Sequence, residues 1–342
     1  MPQFDDLLPL SIAARPAHPI HMMAADIYAL THVPMFMTDF GRNPAPAGFP
    51  HERCRQSLDA TASWVLYTDN FDLMGEIILA RELLHAPWTT AHLLAWKTLE
   101  FAWGSLGFLT SPSFTIKQFK ELPDEEKSQY AFRHIYHTAY VAGILCATLL
   151  GSPPATGPES YQILPTSEIE ALRNECRKAF KDAMTFCIDD LDEFHTGIDH
   201  LTQLTKRVHD NSSPLQAVRR LISVWQSRDC KTAGTILQVV EQANLPESPV
   251  ASALADGLLS STARAYDLPM MAQTLRLVAS LELPVTPTVA AAARFLIRQQ
   301  LPNGAIGGWF LSPENADNRK AIEVTVGLAS ALGALSIHPM PR

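Results

Sequence analysis

Apolar residues recur at steps of three and four through nearly the whole chain, and no segment shows the alternation that a half-buried strand requires. This periodicity predicts an all-α protein. The short links between most of the helices predict that helices adjacent in sequence pack antiparallel. The predicted helices cover residues 20–33, 53–69, 72–86, 88–107, 124–150, 167–189, 190–209, 214–227, 229–243, 249–266, 269–281, 287–300 and 318–335.

Two longer irregular stretches interrupt the helical pattern. Residues 41–50 hold three prolines and two glycines, and residues 151–165 hold four prolines and two glycines. The second stretch falls near the middle of the chain, where it could link two domains. A loop within one domain is the preferred interpretation, because neither half alone offers a complete helical bundle. The predicted domain therefore spans residues 1–342.

A weak internal repeat makes the predicted architecture more specific. Repeated helical hairpins bury their inner faces by stacking on neighbours, in an open solenoid or a closed ring. The two similar units are residues 60–66 with 73–84, and residues 291–300 with 320–332. Residues 295–310, where a helix ends in Gln and runs into a Gly-aromatic turn, resemble the repeat turn of α/α-toroid proteins such as terpenoid cyclases and protein prenyltransferase β subunits. The resemblance implies a closed or nearly closed α/α toroid.

Composition narrows the class of protein without giving a function. The chain has 342 residues, of which 47% are hydrophobic and 18% charged, so it can bury a full core and is not disordered. A net charge of −8 without a basic run argues against a nucleic-acid partner. No apolar run has the length of a membrane-spanning helix, and the N-terminus lacks a secretory signal pattern, so a cytoplasmic protein without membrane contact is expected.

The cysteines support the same compartment. Five of them are scattered along the chain without a CxxC pair, and their odd number leaves one unpaired in any disulfide scheme. Free, mostly buried thiols of a cytosolic protein are therefore predicted.

The first polar cluster lies in the apolar segment 30–41. His32 and Asp39 are seven positions apart, which on a continuous helix places them on one face, about 10 Å apart along the axis. Both could then face one cavity, although Pro34 tends to end or kink a helix before it. The alternative interpretation is a core histidine with satisfied hydrogen bonds and an aspartate that caps the next element.

The second polar cluster lies midway along a long predicted helix. His137 is four residues from Arg133 and three from Tyr140, and Tyr136 is four residues from Tyr140, so one face carries a cation, an imidazole and phenols. The residues that follow are almost purely apolar, and the patch is expected to be buried, where the pKa of a histidine falls towards that of a base. No metal is predicted, because the spacing of His134 and His137 without a third ligand is a poor zinc signature.

The phrases LTHVPMFMTDFG (residues 30–41) and YHTAYVAGILC (residues 136–146) resemble a little-characterised bacterial family of all-helical proteins, a domain of unknown function associated with natural-product loci. The resemblance covers most of the chain and gives no reaction. Pro34 departs from the family pattern and leaves the local backbone open. The site positions that the resemblance implies are His32, Asp39, His137 and Tyr140.

An acidic run offers a third candidate. The sequence DDLDE from Asp189 to Glu193 resembles the aspartate-rich motif of class I terpene synthases, in which carboxylates one turn apart hold Mg²⁺. The second metal motif of that class is missing, because Arg319 stands where a hydroxyl ligand belongs. Such a run is more often a solvated surface. A Mg²⁺-dependent cyclase using Asp189 and Asp190 is therefore kept as an alternative only.

These patterns favour a biosynthetic enzyme that holds a small, largely apolar metabolite in a central cavity and catalyses cyclisation, elimination or isomerisation by acid–base chemistry. His137 is predicted as the base and Tyr140 as its proton donor or hydrogen-bond partner, while His32 and Asp39 position the substrate or complete a relay. No cofactor is expected, a homodimer is left open, and a non-catalytic helical-repeat scaffold is the alternative. The predicted substrate-binding residues are Arg133, His134, Tyr136 and Trp309.

Overall fold

A computed structural model describes residues 8–15, 20–151, 163–189, 214–228, 230, 232–243, 245, 247–307 and 318–338. Within these ranges the regular structure is helical, with no β-strand and a single antiparallel bridge between Gln300 and Ile306. The predicted all-α class is therefore confirmed, whereas the closing of the hairpins into a toroid stays a prediction. None of the helices in the described ranges is both long and apolar enough to cross a membrane.

The helices follow two short 3₁₀ turns at Leu8–Leu10 and Ile12–Ala14. In the described ranges they are α1 (Ala24–Met37), α2 (His51–Tyr67), α3 (Phe71–Leu83), α4 (Thr90–Leu106), α5 (Ile116–Glu121), α6 (Asp124–Gly151), α7 (Thr166–Asp189), α8 (Pro214–Ser227), α9 (Thr232–Ala243), α10 (Glu247–Arg264), α11 (Leu268–Ser280), α12 (Pro287–Ile297) and α13 (Asn318–Ser336). All but α5 overlap a helix predicted from the sequence. Helix α5 is short and mostly polar with no buried residue, so no apolar periodicity marks it. The predicted helix 190–209 lies outside the described residues.

The sequence predicts that helix α1 ends before Pro34, and this prediction is wrong. The helix runs through Pro34 to Met37. Pro34 stands in the last turn, so its missing N–H costs one bond near an end that frays in any case. Its carbonyl accepts from both the backbone N–H and the hydroxyl of Thr38, at 3.0 and 2.8 Å. Asp39 and Phe40 then adopt left-handed backbone angles, with φ of 47° and 53°, and end the helix.

The described residues group into two compact units. The described residues within 1–161 and 219–257 form unit 1, and those within 162–218 and 258–342 form unit 2. The prediction that residues 1–342 form one domain stays a prediction.

Helix α3 is the core helix of unit 1. It packs against α1, α2, α4 and α6, and nearly every one of its side chains is buried. A helix that is apolar almost all round belongs inside a bundle rather than on its surface. Its first turn is fixed by Asn70, whose side-chain oxygen accepts from the backbone N–H of Leu73 at 3.1 Å. Four charged residues interrupt its apolar character: Asp72, Glu76 and Arg81 are buried, and Glu82 is partly buried.

In unit 2, helix α13 packs against α7 and α11, and α12 packs against α7 and α11. The ring of Phe180 on α7 lies against Gly333 on α13, where the absence of a side chain allows the approach. A bidentate ion pair joins Arg294 to Glu175, with N–O distances of 2.9 and 3.2 Å. Unit 2 is thus a helical bundle held by apolar packing with polar contacts at its edge.

Candidate functional site

Two buried carboxylates lie one helical turn apart on α3. The side chains of Asp72 and Glu76 are 7% and 1% exposed, and charged residues are almost never this buried without partners. Asp72 stands in the first turn, where the unpaired N–H groups and the positive end of the helix dipole favour a negative charge. Glu76 lies one turn deeper and lacks that support.

Helices α1 and α6 each bring an imidazole to these carboxylates. His137 Nδ1 lies 2.8 Å from Asp72 Oδ1, and His32 Nδ1 lies 3.7 Å from Glu76 Oε2. The two imidazole side chains are 47% and 37% exposed, so solvent reaches them while the carboxylates stay covered. We call Asp72, Glu76, His32 and His137 the carboxylate–imidazole centre.

Two hydroxyl groups from α1 hold the remaining side of the carboxylates. Tyr28 donates to Asp72 Oδ2 at 2.8 Å, and Thr31 donates to Glu76 Oε2 at 2.6 Å. Tyr28, Thr31 and His32 can reach the same partner helix because residues three and four positions apart share one face of α1.

Burial shifts the ionisation of two of these groups. It raises the pKa of the Tyr28 phenol, and the bonded carboxylate of Asp72 raises it further, so Tyr28 stays a hydrogen-bond donor. Burial also raises the pKa of the Glu76 carboxyl above its ordinary value of 4.5, and the nearby charge of Asp72 adds to this. The hydrogen bond from Thr31 and the imidazole of His32 act in the opposite direction. Glu76 is thus the carboxyl of the centre that is predisposed to hold a proton.

Two of the sequence-predicted residues, His32 and His137, lie on different helices but contact carboxylates on adjacent turns of α3. The predicted burial of the second cluster is wrong: the side chain of His137 is 47% exposed, and the buried group is its partner Asp72 on α3. Tyr140 and Tyr136 are exposed on α6, and the ring of Tyr136 meets that of His137 edge-on at 6.2 Å. The predicted role of Tyr140 as a proton donor stays a prediction.

The other predicted residues lie apart from the centre or outside the described ranges. Asp39 follows the end of α1, where its carboxylate lies 3.6 Å from Arg42 Nη1 on an exposed turn. His134 Nδ1 lies 2.7 Å from Ser113 Oγ, and Arg133 is exposed. Trp309 and the acidic run from 190 to 193 lie outside the described residues, so the predictions for them stay predictions.

Sequence reasoning missed four residues of the site. Tyr28, Thr31, Asp72 and Glu76 were not singled out, although a signal for the two acids exists. Residues 71–79 read as an apolar helix interrupted by two carboxylates four positions apart, which places both on one face of a helix that has to be buried. Nothing in the sequence shows which imidazoles they meet.

A second buried polar cluster surrounds the far end of α3. Arg81 is fully buried and donates to the carboxylate of Asp59 and, at 2.7 Å from Nε, to the carbonyl of Pro87. His92 is fully buried as well, with Nδ1 2.7 Å from Thr89 Oγ1 and Nε2 without a hydrogen-bond partner in the described structure. Burial, with a smaller effect of Arg81, lowers the pKa of His92. Since no solvent reaches these groups, we assign them to the packing of α2, α3 and α4.

The carboxylate–imidazole centre also has the donor atoms of a metal site. Asp72, Glu76 and His137 each offer one donor atom, and these atoms all lie within 4.8 Å of one another. Within the described ranges no other set of histidine, cysteine and carboxylate side chains converges in this way.

Comparison with known proteins places the centre within a family match. Residues 1–147 match a family model described as a domain of unknown function (DUF6895). The match covers less than half of the chain, and it includes every residue of the centre together with Tyr28 and Thr31. No curated protein and no solved structure matches the chain. The match supports an uncharacterised family, while the link to natural-product loci stays a prediction.

Proposed function

We propose that this protein is an enzyme that transfers protons on a small, largely apolar metabolite at the carboxylate–imidazole centre. The reaction class is isomerisation, elimination or cyclisation, as the sequence predicts. The observation that carries the proposal is the 2.8 Å contact between Nδ1 of the half-exposed His137 and Oδ1 of the buried Asp72.

A carboxylate bound to one imidazole nitrogen prepares the other nitrogen for proton transfer. Asp72 fixes the ring orientation of His137 and favours the tautomer with a proton on Nδ1, so the lone pair lies on Nε2. Asp72 is itself held by Tyr28 and by the first turn of α3. The orientation of His137 therefore depends on groups that the fold keeps in place.

His32 is prepared in a similar way by a backbone carbonyl. Its Nδ1 lies 2.5 Å from the carbonyl oxygen of Tyr28, which can only accept a hydrogen bond. The neutral ring therefore carries its proton on Nδ1 and its lone pair on Nε2. Two imidazoles that each present a lone pair on Nε2 can take up protons from a substrate and return them.

Exposed aromatic rings beside the imidazoles support an apolar substrate. The ring centroid of Phe36 lies 5.6 Å from that of His32, and Phe132 stacks on Tyr136 at 5.4 Å. Phe36, Phe132 and Tyr136 are all largely exposed, and large exposed apolar groups near polar ones mark binding surfaces. The biosynthetic context, the closed α/α ring and its central cavity are further parts of the proposal, and they rest on sequence resemblance.

The proposal can be tested before the substrate is known. A small-molecule extract from a strain of the source organism that lacks the gene is incubated with the purified protein in D₂O and compared by mass spectrometry. We expect at least one apolar metabolite to be consumed or to gain deuterium. His32→Asn and His137→Asn should each abolish the change, whereas His51→Asn, which removes an exposed imidazole outside the centre, should behave as wild type.

Circular dichroism and thermal melting confirm that each variant is folded. Full activity of both His32→Asn and His137→Asn would contradict the assignment of the centre. If no metabolite changes with the wild-type protein, the proposed enzyme activity fails and a helical binding scaffold replaces it.

A further inference from the structure

The two carboxylates of the centre lack a permanent positive partner. In the part of the chain that the structure describes, Asp72 and Glu76 pair only with imidazoles, which are charged only when protonated. Neither carboxylate pairs with a lysine or an arginine there. Burying an ionised carboxylate without a compensating charge is costly, and two of them one turn apart repel each other. The centre therefore favours a proton or a metal cation that compensates the two carboxylates.

The donor atoms lie close to the spacing of ligands around one metal ion. At bond lengths of about 2.0–2.2 Å, neighbouring ligands of a tetrahedral or octahedral ion lie about 3–3.5 Å apart and opposite ligands about 4.2 Å apart. The donor atoms of Asp72, Glu76 and His137 all lie within 4.8 Å of one another, and the 2.8 Å separation of His137 Nδ1 and Asp72 Oδ1 is close to that of neighbouring ligands.

The surrounding hydrogen bonds leave one oxygen of each carboxylate available. Tyr28 holds Oδ2 of Asp72 and Thr31 holds Oε2 of Glu76. Oε1 of Glu76 receives no hydrogen bond from these hydroxyls, and Oδ1 of Asp72 faces only His137 Nδ1, so an ion can take the place of the proton between them. Outer groups of this kind orient metal ligands and raise their basicity. Asp72 thus has a hydroxyl donor on one side and an imidazole on the other. This arrangement suits a carboxylate that binds a cation.

We propose that Asp72, Glu76 and His137 bind one divalent transition-metal ion per chain. Two carboxylates and one imidazole suit Zn²⁺, Fe²⁺ or Mn²⁺, and the open positions are left to water or substrate. The ion displaces the Nδ1 proton of His137, so His137 becomes a ligand instead of the base, and His32, with its lone pair on Nε2, is the proton-transfer group beside the ion. The metal inference rests on the proposed function only in that both use the same four residues.

Binding is measured directly, without a substrate. The full-length protein is treated with EDTA, dialysed and titrated with Zn²⁺, Mn²⁺ and Mg²⁺ by calorimetry. We expect one saturable site per chain, with Zn²⁺ bound more tightly than Mn²⁺ and Mg²⁺ bound most weakly. Asp72→Asn, Glu76→Gln and His137→Asn should each remove the site. Tyr28→Phe should weaken binding by about 10- to 100-fold, as the loss of an outer hydrogen bond does.

Matched controls separate this site from adventitious binding. Glu126→Gln and His51→Asn each remove an exposed carboxylate or imidazole outside the centre, and they should leave the affinity unchanged. Pulsed EPR of the Mn²⁺ complex should show one directly bound nitrogen, which His137→Asn removes. Absence of a saturable site for all three ions would overturn the metal proposal, as would binding that survives all three ligand substitutions.

The proposed function and the metal site can fail separately. If no metal binds, and EDTA-treated protein still converts the metabolite in a manner that depends on His32 and His137, the acid–base proposal stands without the ion. If the ion binds as expected and no metabolite changes, the metal site stands and the enzyme proposal falls.

Discussion

Gly75 of α3 and Val141 of α6 lie so close together that a β-carbon on Gly75 would stand 2.9 Å from Val141 Cγ1. Contacts of this kind under 3.0 Å essentially never occur, so the missing side chain is what allows α6 to lie against α3 at this height. Gly75 follows Asp72 by three positions and Val141 follows His137 by four. The same helix contact therefore sets the distance between the imidazole of His137 and the carboxylate of Asp72.

Replacing Gly75 with alanine should separate the two helices at the centre. We expect Gly75→Ala to lower the free energy of unfolding by about 1–3 kcal/mol, because an added methyl group overpacks the contact. The variant should also bind Zn²⁺ more weakly, because His137 moves away from Asp72. Urea denaturation and calorimetry measure the two effects.

Gly143→Ala is the matched control on α6. A β-carbon at Gly143 meets no atom within 4 Å, so the change should stabilise the helix by about 0.5–1 kcal/mol. The double variant Gly75→Ala/Val141→Ala removes the clashing methyl groups and should bind Zn²⁺ more tightly than Gly75→Ala alone. Equal stability of Gly75→Ala and Gly143→Ala would show that α6 does not depend on the glycine.

Glu76 should make the metal-free protein less stable as the pH rises. Its folded-state pKa is raised by burial, so the folded protein holds this proton more strongly than the unfolded chain does. The favourable contribution is complete below the ordinary value of 4.5 and is lost as the pH rises through the raised value. The facing groups Asp72, His32 and His137 are the same in the variant, so the difference between wild type and Glu76→Gln isolates Glu76.

The measurement is urea denaturation in EDTA at several pH values from about 4.5 to 8. The stability of wild type relative to Glu76→Gln should fall as the pH rises, and a parallel series with Zn²⁺ in place of EDTA should reverse this trend for wild type only. A difference that does not change with pH would contradict the assigned burial of the Glu76 carboxyl.

The helices and two of the four residues of the centre could be predicted from the sequence. Helix periodicity is a local property, and His32 and His137 are polar residues in apolar surroundings, so both are visible one segment at a time. Asp72 and Glu76 appear in the sequence as an acid in a first turn and a charge on a helix. Their importance follows from the burial of α3 among four other helices, which is a property of the tertiary fold.

The prediction that Asp39 shares a helix face with His32 depends on where helix α1 ends. A seven-residue spacing places His32 and Asp39 on one face only if the helix continues through both residues. Helix α1 passes Pro34, contrary to the rule applied to it, and then ends before Asp39, which adopts a left-handed backbone and pairs with Arg42. Pro34 does not stop the helix because it stands in the last turn, where its missing N–H costs only one hydrogen bond.

Thiol chemistry should distinguish one cysteine from the others. Cys146 is exposed, while Cys54, Cys176, Cys187 and Cys230 are buried, which confirms the prediction that most of the thiols are buried. Burial raises the pKa of Cys54 and of Cys176 to about 12, so their reactive thiolates are scarce at neutral pH. We expect one fast-reacting thiol with a disulfide reagent in native protein, and none in Cys146→Ser. Fast reaction of a second thiol would contradict the packing around these residues.

Removing the buried charge of Arg81 should destabilise unit 1 strongly. We expect Arg81→Met to cost about 3–5 kcal/mol, because Asp59 and the Pro87 carbonyl lose a buried donor. Arg42→Met, which removes an exposed arginine from an exposed pair, should change stability by about 0–1 kcal/mol. Urea denaturation compares the two. Arg81→Met/Asp59→Leu should recover part of the loss, and similar effects of the two single changes would show that the Arg81 cluster contributes little.

His92 should make the protein less stable in mild acid, with the opposite sign to Glu76. Its folded-state pKa lies well below the ordinary 6.5 because the ring is fully buried, with the charge of Arg81 adding to the effect. Asp59 also faces the ring, with its Oδ1 4.0 Å from His92 Nδ1. Below about pH 6.5 the unfolded chain binds a proton that the folded protein does not, so stability is lost as the pH falls towards the folded value.

The expected slope is about 1.4 kcal/mol per pH unit once the unfolded histidine is protonated. His92→Asn keeps a polar group near Thr89 but cannot titrate, so its curve should lack this component whatever the change in overall stability. Urea denaturation of both proteins from about pH 7.5 to 5 gives the comparison, since every other titrating group is shared. Parallel curves for wild type and His92→Asn would show that the imidazole takes up a proton in the folded state, and that solvent reaches the helix packing around Arg81.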